Sequence, residues 1–158
     1  MDTHELIMKG INLSNYNFKQ KPLVVGGLAL EYYGVRQNGH DFDYLVSSED
    51  WEHLKILYPD NINLFGGKTE KDVDATINLE KKDEHIDLIS TLYQFNYDYL
   101  QQSNIEYKDY RVISLPMLLM VKTLAAINNN DEKSKRDQKL IVDFIVRKQY
   151  PNLEISNK

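Results

Sequence analysis

The feature that most constrains this chain is a glycine pair, Gly26-Gly27, between two different hydrophobic patterns. Before the pair, the apolar run Pro22 to Val25 predicts a short buried strand. After it, Leu28 to Tyr33 is helix-compatible and ends at Gly34. Glycines without side chains let another group approach the backbone closely, and the first turn of a helix presents N–H groups that attract anions. The pattern therefore predicts an α/β unit with a ligand-accessible turn.

Two aspartates follow on the next predicted strand, His40 to Val46. Side chains alternate between the faces of a strand, so Phe42 and Tyr44 lie on one face and Asp41 and Asp43 on the other. The sequence therefore predicts two carboxylates that point the same way.

A third acid, Asp87, lies on the predicted strand His85 to Ser90. Carboxylates that are grouped on a sheet repel one another and lose solvation, so the arrangement persists best when a cation neutralises it. Mg²⁺, or Mn²⁺ in its place, suits oxygen ligands and leaves room for substrate phosphates. We therefore predict that Asp41, Asp43 and Asp87 ligate the metal near a phosphate site at Gly26-Gly27.

The remaining elements complete an α/β (α+β) fold in which strands and helices alternate. One domain is predicted over residues 1–158, with an α/β core over 1–113, C-terminal helices over 114–150 and a tail over 151–158. The further predicted elements are an opening helix His4 to Leu13, a helix Glu49 to Tyr58 capped by Ser48, strands Ile62 to Phe65 and Val73 to Leu79 joined through a Gly66-Gly67 turn, an edge strand in Tyr107 to Ile113, and helices Pro116 to Asn128 and Lys135 to Gln149.

Composition excludes several classes of function. The chain of 158 residues has no cysteine, so any metal site must use oxygen or imidazole ligands, and a reducing, cytoplasmic setting is expected. The apolar stretch Leu115 to Val121 is too short to span a bilayer, so we expect no membrane partner. A net charge of −5 argues against general adhesion to nucleic acid.

The order of these motifs resembles the signature of the DNA polymerase beta-like nucleotidyltransferase superfamily over roughly residues 22 to 90. The matching segments are Val24-Val25-Gly26-Gly27-Leu28-Ala29, Arg36, Asp41-Phe42-Asp43 and Ile86-Asp87-Leu88. The Gly-Gly-x-Ala sequence is also similar to that of small bacterial members related to the toxin half of the AbiE abortive-infection system. The resemblance implies a nucleotidyltransferase fold, with a mixed central sheet flanked by helices and a C-terminal helical pair.

The resemblance also implies an activity and its partners. A nucleoside monophosphate would pass from a nucleoside triphosphate to an acceptor hydroxyl on RNA, such as a tRNA end, or on a protein. An antitoxin or further copies of the chain would be the partners in a toxin-antitoxin or phage-defence setting. The implied roles are nucleotide binding by Gly26, Gly27, Arg36 and Lys122, and metal binding and catalysis by Asp41, Asp43 and Asp87.

Two alternatives stay open at this stage. The chain is shorter than relatives that carry a second domain, which allows a catalytically inactive module of the same fold that binds nucleotide or a partner. Transfer to an antibiotic hydroxyl is a further alternative. The roles of His40, His85 and the aromatic stretch Tyr93 to Tyr110 are left undecided by the sequence.

Overall fold

The computed structural model describes residues 1–39, 41–65 and 74–149 of the chain. It divides into two compact units, Met1–Ser114 and Leu115–Lys158. His40, the Gly66-Gly67 turn and the tail over 151–158 lie outside the described residues, so the predictions made for them stay predictions.

The first unit is built on a seven-stranded mixed sheet with the strand order β3-β4-β5-β2-β1-β9-β8. A separate two-stranded ribbon pairs β6 with β7. The strands are β1 Leu23–Val24, β2 Asp41–Leu45, β3 Ile62–Phe65, β4 Asp74–Lys81, β5 Glu84–Ile89, β6 Thr91–Leu92, β7 Phe95–Asn96, β8 Asn104–Glu106 and β9 Arg111–Ile113.

Strand directions decide which ends of the strands meet. β2 runs parallel to β5 and antiparallel to β1, so β1 ends towards the end of the sheet at which β2 and β5 begin. β1 and β9 are parallel, and β4 pairs antiparallel with both β3 and β5. The glycine turn after β1 therefore lies at the same sheet end as the first residues of β2.

The apolar face of the sheet packs against α1, Thr3–Leu13. The Tyr44 hydroxyl donates to the carbonyl of Ile7 over 2.7 Å, and Phe42 and Tyr44 are both buried. A side chain at Gly10 would clash with the Tyr44 hydroxyl and the Phe42 ring, so glycine permits this close approach. Because Phe42 and Tyr44 face α1, the aspartates that alternate with them occupy the other face.

The other helices of this unit are α2 Gly26–Tyr33, α3 Ser48–Leu57 and the short α4 Tyr97–Leu100, with a 3₁₀ turn at Pro59–Asn61. The cap predicted for α3 is wrong by one residue. Ser47 has an extended backbone and its Oγ accepts the N–H of Asp50, whereas Ser48 is already helical. A cap must stand outside the helix and reach the third helical N–H, which only Ser47 does.

The predicted edge strand in Tyr107 to Ile113 is also wrong in its position. Only Arg111–Ile113 forms a strand, and it lies between β1 and β8. The Tyr107 N–H donates to the Tyr110 carbonyl over 2.9 Å and closes the turn from β8 to β9. β8 is therefore the edge strand on this side of the sheet, because β9 pairs with β1 on one side and with β8 on the other.

The second unit is a helix pair, α5 Leu115–Asn129 and α6 Glu132–Gln149. Polar contacts join the helices: Lys122 Nζ lies 3.0 Å from Asp137 Oδ2, and Gln138 Nε2 donates to Thr123 Oγ1 over 3.1 Å. In the described ranges, no helix combines the length and the apolar character needed to cross a membrane.

Candidate active site

The glycine turn brings the start of α2 against the first acidic strand. The Val25 N–H donates to the Asp43 carbonyl over 3.1 Å. Gly26 has a φ of 63°, and a Cβ at this position would lie 2.5 Å from Asp43 Oδ2. Only glycine combines this left-handed backbone with the absence of a clashing side chain. The turn and the Asp43 carboxylate are therefore in direct contact.

Gly27 is enclosed by two polar side chains from the segment that follows α2. A Cβ at Gly27 would overlap Asn38 Oδ1 and would lie 3.4 Å from Arg36 Nη1. Asn38 is held in place, because its amide donates to the Asp41 carbonyl over 2.6 Å and its N–H donates to Glu31 over 3.0 Å. The structure thus brings the predicted residues Gly27 and Arg36 together and adds Asn38.

The carboxylates meet through the parallel pairing of β2 and β5. Asp43 lies opposite Asp87 at the same register, and Asp41 lies opposite His85. Asp43 and Asp87 are half-buried, and Asp41 is exposed. Since positions two apart on a strand share a face, the three predicted acids and His85 occupy one face of the sheet.

Strand β4 extends this face with two residues that sequence reasoning missed. Asn78 lies opposite Asp87, and Glu80 lies opposite His85. The Asn78 amide donates to Asp87 Oδ1, and His85 Nε2 lies 2.8 Å from the same oxygen. The sequence contains a signal that could have revealed these two residues, namely the hairpin turn at Lys82-Asp83 between β4 and β5. Counting outward from this turn pairs residue 78 with residue 87. Polar side chains therefore lie side by side on three adjacent strands, β4, β5 and β2.

His85 reduces the negative charge of this face. Its Nδ1 is hydrogen-bonded to Glu80 Oε1, and this hydrogen bond is the main reason that the pKa of His85 is raised. Burial of the ring lowers the pKa of His85 and so opposes this effect, whereas the negative charges of Asp87 and Asp41 raise the pKa further. The imidazolium therefore persists to higher pH than in a free histidine, and it offsets part of the repulsion between the carboxylates.

The donor set fits a hard divalent cation. Across residues 1–39, 41–65 and 74–149, histidines and acids do not gather in threes closely enough to hold a metal ion. Mg²⁺ does not need such a cage, because it commonly binds one or two carboxylates and completes its shell with waters and substrate phosphates. Asp43 and Asp87, at matched positions with Asp41 along the same face, supply oxygen donors of this kind.

Lys122 belongs to the second unit and is paired there. Its ammonium group lies 3.0 Å from the carboxylate of Asp137, whose side chain is only 2% exposed. Lys122 therefore neutralises a buried charge in the helix pair, and its predicted contact with nucleotide phosphate stays a prediction.

Two tyrosines of the aromatic stretch Tyr93 to Tyr110 belong to the packed interior. Tyr97 is buried and its hydroxyl donates to the Lys21 carbonyl over 2.6 Å. Tyr110 is also buried and is hydrogen-bonded to His4. Phe95 and Tyr99 stack with their ring centroids 4.8 Å apart.

Replacing Gly27 by alanine tests the enclosure of the turn. The added methyl group must displace Asn38, which is anchored to the backbone of Asp41, so the whole glycine turn is expected to shift. A misplacement of about 1 Å in an active site can reduce turnover by about a hundredfold. Gly39→Ala is the matched control, because a Cβ at Gly39 meets no atom of the described residues within 4 Å. Equal activity of the two variants in a nucleotidyl transfer assay would contradict the role given to the turn.

Comparisons with known proteins bear on the fold of the chain. No protein-family model matches the chain, and no curated protein matches it in sequence. Among solved structures, the chain is similar to the antibiotic-resistance factor ANT(2'')-Ia, at 16% identity and a TM-score of 0.55, over 92% of this chain and 86% of that one. A second structure of ANT(2'')-Ia, in complex with adenylyl-2''-tobramycin, matches at 14% identity and a TM-score of 0.50, over 93% and 91% of the two chains.

A third similar structure comes from Thermotoga maritima and carries a provisional nucleotidyltransferase name. It matches at 15% identity and a TM-score of 0.52, over 90% of this chain and 96% of that chain. Likeness at such low identity is likeness of fold. The predicted fold class is therefore confirmed: the chain has the nucleotidyltransferase fold, with a mixed central sheet and flanking helices.

Proposed function

We propose that this chain is a metal-dependent nucleotidyltransferase, which moves a nucleoside monophosphate from a nucleoside triphosphate to an acceptor hydroxyl. One observation carries the proposal: Asp43 and Asp87 lie at matched positions on neighbouring parallel strands, and the Gly26 turn contacts Asp43. The fold likeness to ANT(2'')-Ia supports it, because the compound bound in one structure of that protein is an antibiotic that carries an adenylyl group.

The triphosphate would bind at the start of α2. N–H groups in the first turn of a helix have no partner within the helix, and they are favourable ligands for phosphate oxygens. In the described residues no side chain caps α2, so no capping group competes with a phosphate for the N–H groups of its first turn. Arg36, whose guanidinium group lies beside Gly27, would add positive charge for the phosphates.

Asp41, Asp43 and Asp87 would hold Mg²⁺ or Mn²⁺. When bound there, the metal would offset negative charge on the attacking and leaving oxygens of the displacement. The half-buried position of Asp43 and Asp87 would make the carboxylates more effective ligands than fully solvated ones.

The transfer itself is a substitution at the α-phosphorus. The acceptor oxygen forms a bond to that phosphorus, the bond from it to the oxygen that bridges to the β-phosphorus breaks, and pyrophosphate leaves. The proton of the acceptor hydroxyl passes to the Asp87 carboxylate. Asn78 and His85 both hold Oδ1 of Asp87, so they fix its orientation for this step.

We propose RNA, such as a tRNA end, or a protein as the acceptor, within a toxin or defence setting. The Gly-Gly-x-Ala sequence at Gly26 to Ala29 supports this choice, because it is similar to the AbiE toxin half. An antitoxin or another copy of the chain would then regulate or complete the site. We also propose that residues 1–158 act as one nucleotidyltransferase domain.

An antibiotic hydroxyl is the second candidate acceptor. The observation that favours it is the match to ANT(2'')-Ia over most of both chains. A host strain that expresses this chain would then gain resistance to the antibiotic that is modified, and Asp43→Asn would abolish the resistance.

A labelling assay tests the proposed function. The full chain is incubated with Mg²⁺ or Mn²⁺, each labelled nucleoside triphosphate in turn, and total RNA, protein or antibiotics as acceptors. We expect one triphosphate to label one acceptor class, and we expect the label to be lost in Asp41→Ala and on removal of the metal. Triphosphate binding that needs no metal, without any labelling, would contradict the proposal and would indicate a binding module of the same fold.

Lys122→Met separates the two roles considered for this lysine. Loss of its ammonium group leaves the Asp137 carboxylate without this cation, so we expect the free energy of unfolding to fall by about 2 kcal/mol, less than for a fully buried pair. The double variant Lys122→Met/Asp137→Asn removes both charges and should regain most of that stability. If Lys122 also contacts phosphate, nucleotidyl transfer stays low in the double variant. Recovery of both stability and transfer would contradict the predicted nucleotide contact.

A further inference from the structure

A second polar cavity lies at the other end of the sheet from the Gly26 turn. Its volume is about 520 Å³, and it is lined by the second half of α1, the segment 15–21 and the turn at Lys108-Asp109. Segment 15–21 precedes β1, whereas Gly26 follows β1. The Arg111 N–H donates to the Pro22 carbonyl over 2.9 Å, which sets the turn before β9 beside the segment before β1. The cavity and the candidate active site are therefore separate.

The cavity wall carries an excess of positive charge on an acidic chain. It includes Lys19, Lys21 and Lys108 against a single acid, Asp109, although the net charge of the chain is −5. Lys21 lies 3.6 Å from Glu106, a carboxylate that is also paired with Arg111. Lys19 and Lys108 are exposed, and neither forms an ion pair with any other described residue. Two ammonium groups are thus available to an anion.

The segment that carries Lys19 is held by hydrogen bonds to the fully buried carboxylate of Asp50. Asp50 accepts the N–H groups of Lys19 and Gln20 over 2.9 and 3.0 Å, and its Oδ1 accepts the Tyr16 hydroxyl over 2.7 Å. A site whose backbone is already ordered loses less entropy when a ligand binds. The lysine is therefore presented on a rigid loop.

The rest of the lining suits a nucleotide. The exposed amides of Asn12, Asn15 and Asn17 supply neutral hydrogen-bond donors for phosphate or base oxygens. Tyr16 and Phe18 are half-buried and pack edge to face with their centroids 5.0 Å apart, which gives the wall an aromatic surface. Aromatic surfaces stack on nucleobases, and ammonium groups bind phosphate oxygens.

We propose that this cavity binds the phosphate group and base of a nucleotide, either free or at the end of an RNA strand. The proposal does not depend on the nucleotidyl transfer proposed above, because it uses neither the glycine turn nor the three aspartates. A chain without transfer activity would still bind its ligand here.

Binding is tested on the full chain in the presence of EDTA, so that no metal contributes. Pyrophosphate, AMP and a 5′-phosphorylated trinucleotide are each titrated, and amide chemical shifts report the location. We expect AMP or the trinucleotide to shift residues 15–21 and 108–109. We also expect Lys19→Gln/Lys108→Gln to weaken binding by about tenfold or more, because two charged hydrogen-bond donors are lost. The control Lys133→Gln/Lys148→Gln makes the same change of charge in the second unit.

The three probes distinguish the sources of the ligand. Tighter binding of AMP than of pyrophosphate supports a free nucleotide, and still tighter binding of the trinucleotide supports the end of an RNA strand. Four results would each overturn the proposal. Two concern the location: chemical shift changes confined to Gly26 to Ala29, or the same affinity in Lys19→Gln/Lys108→Gln as in its control. The other two are equal affinity for AMP and pyrophosphate, and no binding of any probe.

Discussion

Replacing Asp43 by asparagine is expected to reduce nucleotidyl transfer by about a thousandfold, since loss of one preorganised electrostatic group at a reacting centre costs two to three orders of magnitude. Asp43 touches both halves of the candidate site, because it contacts the Gly26 turn and lies opposite Asp87. Asparagine keeps the size of the side chain but removes the negative charge that a divalent cation requires. Steady-state rates with the labelled triphosphate measure the loss.

The control is Asp60→Asn, which makes the same chemical change at an exposed residue of the 3₁₀ turn. Both variants should give the same far-ultraviolet circular dichroism spectrum and nearly the same melting temperature as the unmodified protein. A rate for Asp43→Asn within tenfold of the Asp60→Asn rate would contradict the assignment of Asp43 as a metal ligand.

Replacing Asp50 by alanine is expected to lower the free energy of unfolding by about 3 kcal/mol, the cost of leaving several hydrogen-bond donors without their acceptor. The Asp50 carboxylate is fully buried and accepts two backbone N–H groups and the hydroxyls of Tyr16 and Ser47. Alanine leaves these donors without that acceptor and also releases the segment that lines the second cavity. Chemical denaturation at pH 7 measures the change.

The neighbouring substitution Glu49→Ala is the control, because Glu49 is exposed on the same helical turn and should change stability by no more than about 0.5 kcal/mol. Asp50→Asn retains one acceptor oxygen and should fall between the two. A loss for Asp50→Ala that is as small as for Glu49→Ala would mean that the segment 16–20 is held in place by other contacts.

Local patterns were sufficient to predict the elements that build the site. Alternation on β2 predicts that Asp41 and Asp43 share a face, and the buried Phe42 and Tyr44 on the other face agree with it. The change of pattern at Gly26-Gly27 predicts a junction of strand and helix, and the structure has it close by: Val25 is the cap and the two glycines are the first helical residues, two residues before the predicted start at Leu28. These features depend on neighbours within a few residues, so the sequence carries them directly.

Pairing between distant segments could not be predicted in the same way. The meeting of Asp43 with Asp87 depends on the parallel register of β2 and β5, which are 44 residues apart at this pair and are joined by no hairpin. The interior position of β9 depends likewise on its parallel pairing with β1. Registers of this kind are set by the packing of the whole sheet, and short-range periodicity contains little information on them.

Polar partners were missed for a related reason. Asn78 and Glu80 look like ordinary surface residues of a strand until β4 is paired with β5, which brings them beside Asp87 and His85. Lys122 was singled out by resemblance alone, and its ion pair with Asp137 depends on the register of two helices. Side chains whose roles depend on a partner strand or helix therefore cannot be identified from local sequence patterns.

The most direct measurement is a crystal structure of the full chain with Mn²⁺ and a non-hydrolysable nucleoside triphosphate. The proposed function predicts anomalous density for Mn²⁺ between the carboxylates of Asp41, Asp43 and Asp87, with the triphosphate on the backbone N–H groups of Gly26 and Gly27. Manganese bound away from these three aspartates, or a triphosphate that does not contact the glycine turn, would contradict it.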